Sequence, residues 1–139
     1  MRLVQLIYAS SFAEEMDVSE LAKIREVANR ENEKNSITGM LIAGNDFFLQ
    51  CLEGGREAVN KLYSEIVPDP RHRHILLLRY SEVSRREFEN WSMGFILLSE
   101  VKKQLILKYS TTTDFDPYKM SAESSHELLM ALRKMEPKI

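Results

Sequence analysis

The chain has 139 residues and a net charge of −2, with 44 % hydrophobic and 29 % charged residues, which is typical of one globular domain. This near-neutral balance lacks the basic footprint of proteins that bind nucleic acid or anionic membranes, so we expect neither as a partner. A single cysteine excludes an internal disulfide, and no apolar run approaches the roughly 20 residues of a membrane span. Because the N-terminal residues also lack a signal-peptide pattern, we expect a cytoplasmic protein.

The N-terminal part of the chain predicts a strand followed by a helix. Residues 3–8 are rich in apolar and β-prone types and predict the strand. Apolar residues spaced about one helical turn apart predict a helix over residues 18–32, with Ser19 near its start. This apolar stripe consists of Leu21, Ile24, Val27 and Ala28.

A β-hairpin is predicted next, from apolar runs over residues 36–43 and 47–52. The Gly-Asn-Asp segment at 44–46 between them contains residue types that tolerate the positive φ of a tight turn. Side chains alternate along a strand, which places Gln50 within an otherwise apolar run. Burial of an amide without hydrogen bonds costs roughly 1–3 kcal/mol, so we expect a specific partner for Gln50.

The order of elements in the whole chain predicts the fold. The later elements are a helix over 56–67 that ends at prolines, strands over 75–80 and 91–98, a short helix near 101–106 and a helix over 121–135. The resulting βαββαββ order predicts an α+β, ferredoxin-like sandwich with two helices on one face of the sheet. We expect residues 1–98 to form the domain and residues 99–139 to be a helical extension that covers the other face.

Common catalytic and metal-binding patterns are weak in this sequence. His72 and His74 are two residues apart on a predicted strand, but a zinc site needs three or four protein ligands, so we expect no metal site. Cys51 lies within an apolar strand, which favours inert packing over nucleophilic chemistry. The pair Gly54-Gly55 precedes a helix and could cradle a phosphate, although such a pair more commonly forms a turn.

The polar and aromatic groups on the predicted strands are more informative as a set. Tyr8, Gln50, Trp91 and Met93 lie on or at the ends of three strands. Each residue alone is compatible with an ordinary core or surface position. A buried tyrosine hydroxyl and a glutamine amide, however, are suited to satisfy each other, because the amide both donates and accepts.

These residues belong to a series of motifs in a fixed order. The motifs are Leu3 to Tyr8, Asn32 with Ile37-Thr-Gly-Met-Leu41, Phe48 to Gly54, Asp69 to His72, and Asn90 to Met93. Through them, residues 1–98 resemble BLUF domains, which are flavin-binding sensors of blue light. The tail, with Leu107-Lys-Tyr-Ser110 and a final helix, resembles that of the short PixD-type members, which consist of the domain and two helices.

The resemblance implies a cofactor and the residues that bind it. The expected cofactor is FAD, bound non-covalently with its ring between the two helices, with FMN and riboflavin as alternatives. The expected contacts come from Ile24, Asn32, Gln50, Ile66, Asp69, Arg71 and His72. Glu31 departs from the family pattern, and a carboxylate near an electron-rich ring edge is unfavourable, so we expect no ligand role for it.

The resemblance also implies a mechanism and an output. Light drives electron and proton transfer from Tyr8 through Gln50, which rearranges the hydrogen bonds to the flavin; Ser10, Trp91 and Met93 flank this switch. The protein is then a sensor and not an enzyme. It signals by changing its contacts with other proteins, and we expect a homo-oligomer and a response-regulator-like partner.

Two other classes share the predicted layout. A small flavin-dependent oxidoreductase would need an acid, base or nucleophile beside the flavin, and the sequence offers no candidate. An RNA-binding sheet would need stacking aromatic pairs and a basic face, which are also missing.

Overall fold

The computed structural model describes residues 2–135 of the chain. Its elements are β1 (Leu3–Phe12), α1 (Val18–Lys34), β2 (Thr38–Gly44), β3 (Phe47–Gly55), α2 (Arg56–Ile66), β4 (His72–Glu82), β5 (Gly94–Leu97), α3 (Lys103–Tyr109) and α4 (Ala122–Leu132). Single 3-10 turns lie at Leu98–Glu100 and Pro117–Lys119. Residue 1 of the predicted domain and residues 136–139 of the predicted extension lie outside the described residues.

The strands form one five-stranded sheet in the order β4-β1-β3-β2-β5. β1 is antiparallel to both β3 and β4, β2 is antiparallel to β3, and β5 runs parallel to β2 at the edge. The first four strands thus have the ferredoxin-like arrangement, and the fifth extends it. The predicted α+β class and the βαββαββ order are confirmed.

The sheet is buried between two apolar layers. On one face, Leu6, Leu41, Phe48 and Leu52 pack against α1 and α2 through residues such as Leu21 and Val59. On the other face, Ile7, Met40, Leu49 and Cys51 pack against α3 and α4 through residues such as Ile106 and Leu129. The prediction that the C-terminal helices cover the second face is therefore confirmed for the described residues.

The ends of two strands differ from the prediction because their hydrogen-bonding partners are distant in sequence. β1 continues past residue 8 to Phe12, because Ser10 and Ser11 pair with neighbouring strands instead of ending the element. The predicted last strand over 91–98 is wrong at its start, since β5 begins at Gly94. Trp91 and Met93 belong instead to the loop of residues 83–93 that precedes β5.

Hydrogen bonds identify the residues that cap the N-termini of two helices. Asp17 caps α1, and Ser19 lies in the first turn: the Asp17 side chain accepts from Glu20 N at 2.8 Å, and Glu20 returns the contact in a capping box. Ser121 caps α4 by accepting from Ser124 N at 3.0 Å. Both caps satisfy amide groups that have no partner within the helix.

The hairpin turn forms where the sequence predicts it. Asn45 and Asp46 have φ of 54° and 68°, the left-handed region that these residue types tolerate. The turn is also tied to the C-terminal layer, because Asn45 Nδ2 donates to Phe115 O at 2.9 Å. Across residues 2–135, no helix combines the length and the apolar composition needed to cross a membrane.

Candidate functional site

A cavity of about 360 Å³ lies between α1 and α2, above the face of the sheet that these helices cover. Its volume falls within the range of small-molecule sites, roughly 300–1,000 Å³. The walls come from both helices, the floor from the central strands, and the rim from the loop before β4. The lining includes Ile24, Glu31 and Asn32 of α1, Lys61, Glu65 and Ile66 of α2, Tyr8 and Gln50 of the floor, and Asp69, Arg71 and His72 of the rim.

The floor of the cavity contains the predicted pair of Tyr8 and Gln50. The register of β1 and β3 places the two residues directly opposite each other, and the Tyr8 hydroxyl donates to Gln50 Oε1. The phenol is 1 % exposed and the amide 7 % exposed. Burial, reinforced by the neighbouring Tyr63 and Asp69, raises the pKa of Tyr8, so the hydroxyl keeps its proton and acts as a donor.

The other end of the Gln50 amide faces Met93. Gln50 Nε2 donates to Met93 Sδ at 3.3 Å, and Met93 is buried. A thioether is a weak acceptor, and an amide nitrogen carries two N–H groups. Gln50 therefore has donor capacity left at the floor of the cavity.

A second buried amide lies at the α1 side of the cavity. Asn32 is 2 % exposed, and its Nδ2 donates to Ser92 O at 3.0 Å. This contact ties the end of α1 to the loop before β5 and orients the amide. Asn32 also lines the cavity, where an amide oxygen can accept hydrogen bonds.

Charged and polar groups form the rim. Arg71 NH2 lies 2.6 Å from Asp69 Oδ2, and the hydrogen bonds from Arg71 lower the pKa of Asp69. His72 Nδ1 and Ser10 Oγ share a hydrogen bond of 2.9 Å, and burial lowers the pKa of His72. The rim thus presents an ion pair and an imidazole for which the neutral form is favoured.

The structure brings together all seven residues that the sequence predicts as cofactor contacts. Ile24 and Ile66 lie on opposite walls. His72 and His74, for which we expect no metal site, lie in different surroundings, because His74 has a φ of 52° at an irregularity between β1 and β4. His72 lines the cavity while His74 is exposed.

The three residues predicted to flank the switch lie in different places. Met93 contacts Gln50, whereas Ser10 contacts His72. Trp91 packs against the apolar cluster on the opposite face of the sheet, with its ring centroid 6.4 Å from that of Phe88. Trp91 lies there because residues 83–93 form a loop and Trp91 is not part of the predicted strand.

Sequence reasoning missed several residues at the cavity and one beside its floor. The Tyr63 ring centroid lies 5.8 Å from that of Tyr8, and Lys61 and Glu65 line the α2 wall. Tyr63 precedes Ile66 by three residues, so the same helical periodicity could have found it. Glu31 lines the cavity and pairs with Lys34 at 3.6 Å; its expected lack of a ligand role stays a prediction.

Comparison with known proteins identifies the family. The family model described as "BLUF: Sensors of blue-light using FAD" matches residues 3–94. The chain is 35 % identical over 86 residues to the "Blue light- and temperature-regulated antirepressor BluF" of Escherichia coli strain K12, which covers 62 % of this chain and 21 % of that protein. It is also 30 % identical over 125 residues to the "Photoactivated adenylate cyclase subunit beta" of Euglena gracilis, covering 83 % of this chain and 15 % of that subunit.

Solved structures of similar proteins share the fold over nearly the whole chain. "BlsA photo-activated state" superposes with a TM-score of 0.88 at 29 % identity and covers 99 % of both chains. "BlrB - a BLUF protein, dark state structure" has a TM-score of 0.74 at 28 % identity and covers 94 % of this chain and 96 % of that one. By contrast, the chain spans only about a fifth or less of the length of the two curated relatives above.

The residues of the cavity fit the FAD that the family uses. Apolar side chains on opposite walls, such as Ile24 and Ile66, suit a flat aromatic ring. The buried amides of Gln50 and Asn32 offer a donor and an acceptor, and the polar edge of a flavin ring has both kinds of partner. Both amides belong to residues that are at least nine-tenths buried and line the cavity, so their remaining hydrogen-bonding capacity can serve such a ligand.

Proposed function

The chain belongs to the BLUF family of flavin-binding blue-light sensors, and on that premise we propose that Tyr8 and Gln50 form its photochemical switch. The buried hydrogen bond between the two side chains supports this proposal most directly. The family assigns a sensory and not an enzymatic role to this domain. We further propose that residues 1–98 form the sensor and that residues 99–139 carry its output.

The proposed reaction begins with Tyr8 as a donor. Bound FAD supplies the absorption of blue light and, when excited, accepts an electron. Loss of an electron makes the phenol proton strongly acidic, and Gln50 Oε1 already accepts the hydrogen bond along which that proton moves. When the electron and the proton return to Tyr8, no net chemical product remains.

The lasting change is the orientation of the Gln50 amide. In the arrangement described here, the oxygen faces Tyr8 and the nitrogen faces Met93. Rotation exchanges the donor and acceptor ends, so the Tyr8 hydroxyl would then accept and the amide would present a different group to the cofactor. A carboxylate at this position could only accept, so it could not store the same change.

The remaining residues of the cavity are proposed to bind the cofactor. Ile24 and Ile66 hold the two faces of the ring, and Asn32 contacts its polar edge. Asp69, Arg71 and His72 lie at the rim, where they would contact the parts of FAD beyond the ring. The ion pair of Asp69 and Arg71 fixes the orientation of the guanidinium group.

We propose that the output is a change in protein–protein contacts in the cytoplasm. A rearrangement at Met93 and Trp91 would carry the switch to the C-terminal helices. A homo-oligomer and a response-regulator-like partner are the proposed assemblies; a named antirepressor among the relatives supports signalling through a protein partner.

Absorbance spectroscopy tests the switch. The purified protein should be yellow, and its flavin band should shift to longer wavelength in blue light and recover in darkness. Tyr8→Phe and Gln50→Leu should each retain the flavin and abolish the shift. The matched controls are Tyr80→Phe and Gln104→Leu at exposed positions, which should photocycle as the wild type does. A normal shift in either switch variant contradicts the assigned roles.

A further inference from the structure

A partly buried polar cluster joins the loop of residues 83–93 to α4, on the face of the sheet opposite the cavity. We call this cluster the polar junction. Its members are Gln5 of β1, Glu53 of β3, Glu87 of the loop, and His126 and Arg133 at α4. None of them lines the cavity.

On the sheet side, the polar junction is built around Glu53, which is 0 % exposed. Glu53 accepts from Glu87 N at 2.7 Å and from Phe88 N at 2.9 Å. It also accepts from Gln5 Nε2 at 3.0 Å and from Thr38 Oγ1 at 3.1 Å. A buried carboxylate is tolerated only with such partners, so these bonds fix the loop backbone at residues 87–88 to β3.

On the helix side, Glu87 is the contact. Its Oε1 lies 2.6 Å from His126 Nε2 and accepts from Gln5 Nε2 at 2.8 Å, while its backbone oxygen accepts from Arg133 NH1 at 2.9 Å. Burial opposes ionisation of Glu87, but the hydrogen bonds from Gln5 and His126 lower its pKa on balance. His126 and Arg133 are two helical turns apart, so Glu87 contacts α4 at two points along the helix.

The same loop also reaches the proposed switch. Met93, near its end, accepts from Gln50 Nε2, and Ser92 O accepts from Asn32. Between these contacts and Glu87, Trp91 O accepts from Gly39 N at 3.1 Å. One short segment therefore connects the floor of the cavity with α4.

We propose that Glu87 is a positioning residue that couples the loop to α4: a displacement at Met93 reaches α4 through the bonds of Glu87 to His126 and Arg133. This inference rests on the proposed function, because it needs Gln50 to change its contact with Met93 in light. Apolar packing against α4 then holds the helix in place, while the polar junction sets its response to light.

The test is the difference in hydrogen–deuterium exchange of α4 between illuminated and dark protein, with flavin absorbance recorded on the same samples. The wild type should show the red shift and a difference in α4. His126→Ala and Arg133→Ala should keep the red shift and lose the difference in α4. His126→Gln, which retains a hydrogen-bond donor, should restore it.

Two further variants make the test decisive. Glu87→Met keeps the length of the side chain and removes the acceptor for His126 and Gln5, so it should weaken the difference in α4 even where an alanine variant fails to fold. Glu127→Met, exposed on the same helix, should behave as the wild type. A full difference in α4 in His126→Ala or Glu87→Met with a normal red shift overturns the coupling role alone, as does a wild type that shifts without a response in α4. A wild type with no red shift overturns the proposed function itself.

Discussion

At the scale of single residues, buried polar groups determine what the molecule can do, and they differ in how readily a sequence reveals them. Gln50 was predictable, because strand alternation places an amide within an apolar run. Glu53, only three residues later, was not. Its donors Glu87 N and Phe88 N come from a loop more than thirty residues away, so no local pattern distinguishes it from a solvent-facing charge at a strand end.

The partly buried imidazole of His72 makes the free energy of unfolding depend on pH. Burial lowers its pKa in the folded state, so on acidification the unfolded chain binds the proton first. The neutral imidazole therefore stabilises the fold above the pKa that His72 has in the unfolded chain. This stabilisation is lost as the pH falls below that pKa, by at most ~1.4 kcal/mol per pH unit. Urea denaturation between neutral pH and mildly acidic pH should show a flatter profile for His72→Gln. His74→Gln, at an exposed position, should leave the profile unchanged.

Gly39 is required by close approach of two strands. A Cβ atom at this position would lie 2.1 Å from Cys51 O of β3, and backbone cannot move without breaking the pairing. We expect Gly39→Ala to lower the free energy of unfolding by about 2 kcal/mol or more. Gly94→Ala is the control: its nearest neighbour is Met40 Sδ at 3.0 Å, at the flexible end of a side chain. Equal losses in urea denaturation would contradict this explanation.

At the scale of elements, periodicity predicted the helices and the first four strands, while partners outside each segment set their ends. The start of β5 is the clearest case. The apolar residues Trp91 and Met93 make residues 91–98 resemble one strand, but the preceding loop finds its hydrogen bonds at Glu53 and Gly39. Those bonds exist only in the folded chain, so the propensity of the segment could not reveal its conformation.

The hydroxyl group of Tyr118 hydrogen-bonds the 3-10 turn at Pro117–Lys119 to the sheet. Tyr118 Oη lies 2.9 Å from Ser11 Oγ and donates to His74 O at 2.8 Å, so it links the C-terminal layer to β1 and β4. We expect Tyr118→Phe to cost about 1 kcal/mol and to speed amide exchange in this turn. Tyr109→Phe, at the end of α3, is the control; faster exchange of the turn in both variants would contradict the role of the hydroxyl.

At the scale of the whole molecule, the sheet separates a layer that holds the cavity from a layer that carries α3 and α4. The sequence predicted this division, because the two faces of each central strand have different residues. It did not predict the loop of residues 83–93 as their connection, because that role depends on which side chains meet in three dimensions. The role of Tyr8 and Gln50 as a photochemical switch could be predicted only because the motifs resemble a known family.

The two layers should unfold together. Leu129 is fully buried against the face of the sheet that contains Ile7 and Cys51, so the extension completes the core. Leu129→Ala should cost about 2–5 kcal/mol, with coincident denaturation transitions by far-UV circular dichroism and by release of flavin. Leu107→Ala, which removes a side chain that is 47 % exposed, should cost much less. A second transition confined to the helices would show that the extension is independent.

The position of Tyr8 and Gln50 on the two central strands has a consequence for warming. Strands in the middle of a sheet open only with the whole chain, whereas peripheral loops open at much smaller free energies. As the temperature rises toward the melting point, colour change on illumination should persist while the link through residues 83–93 loosens. Illumination would then still change the absorbance, while the proposed signal from Gln50 to α4 would weaken.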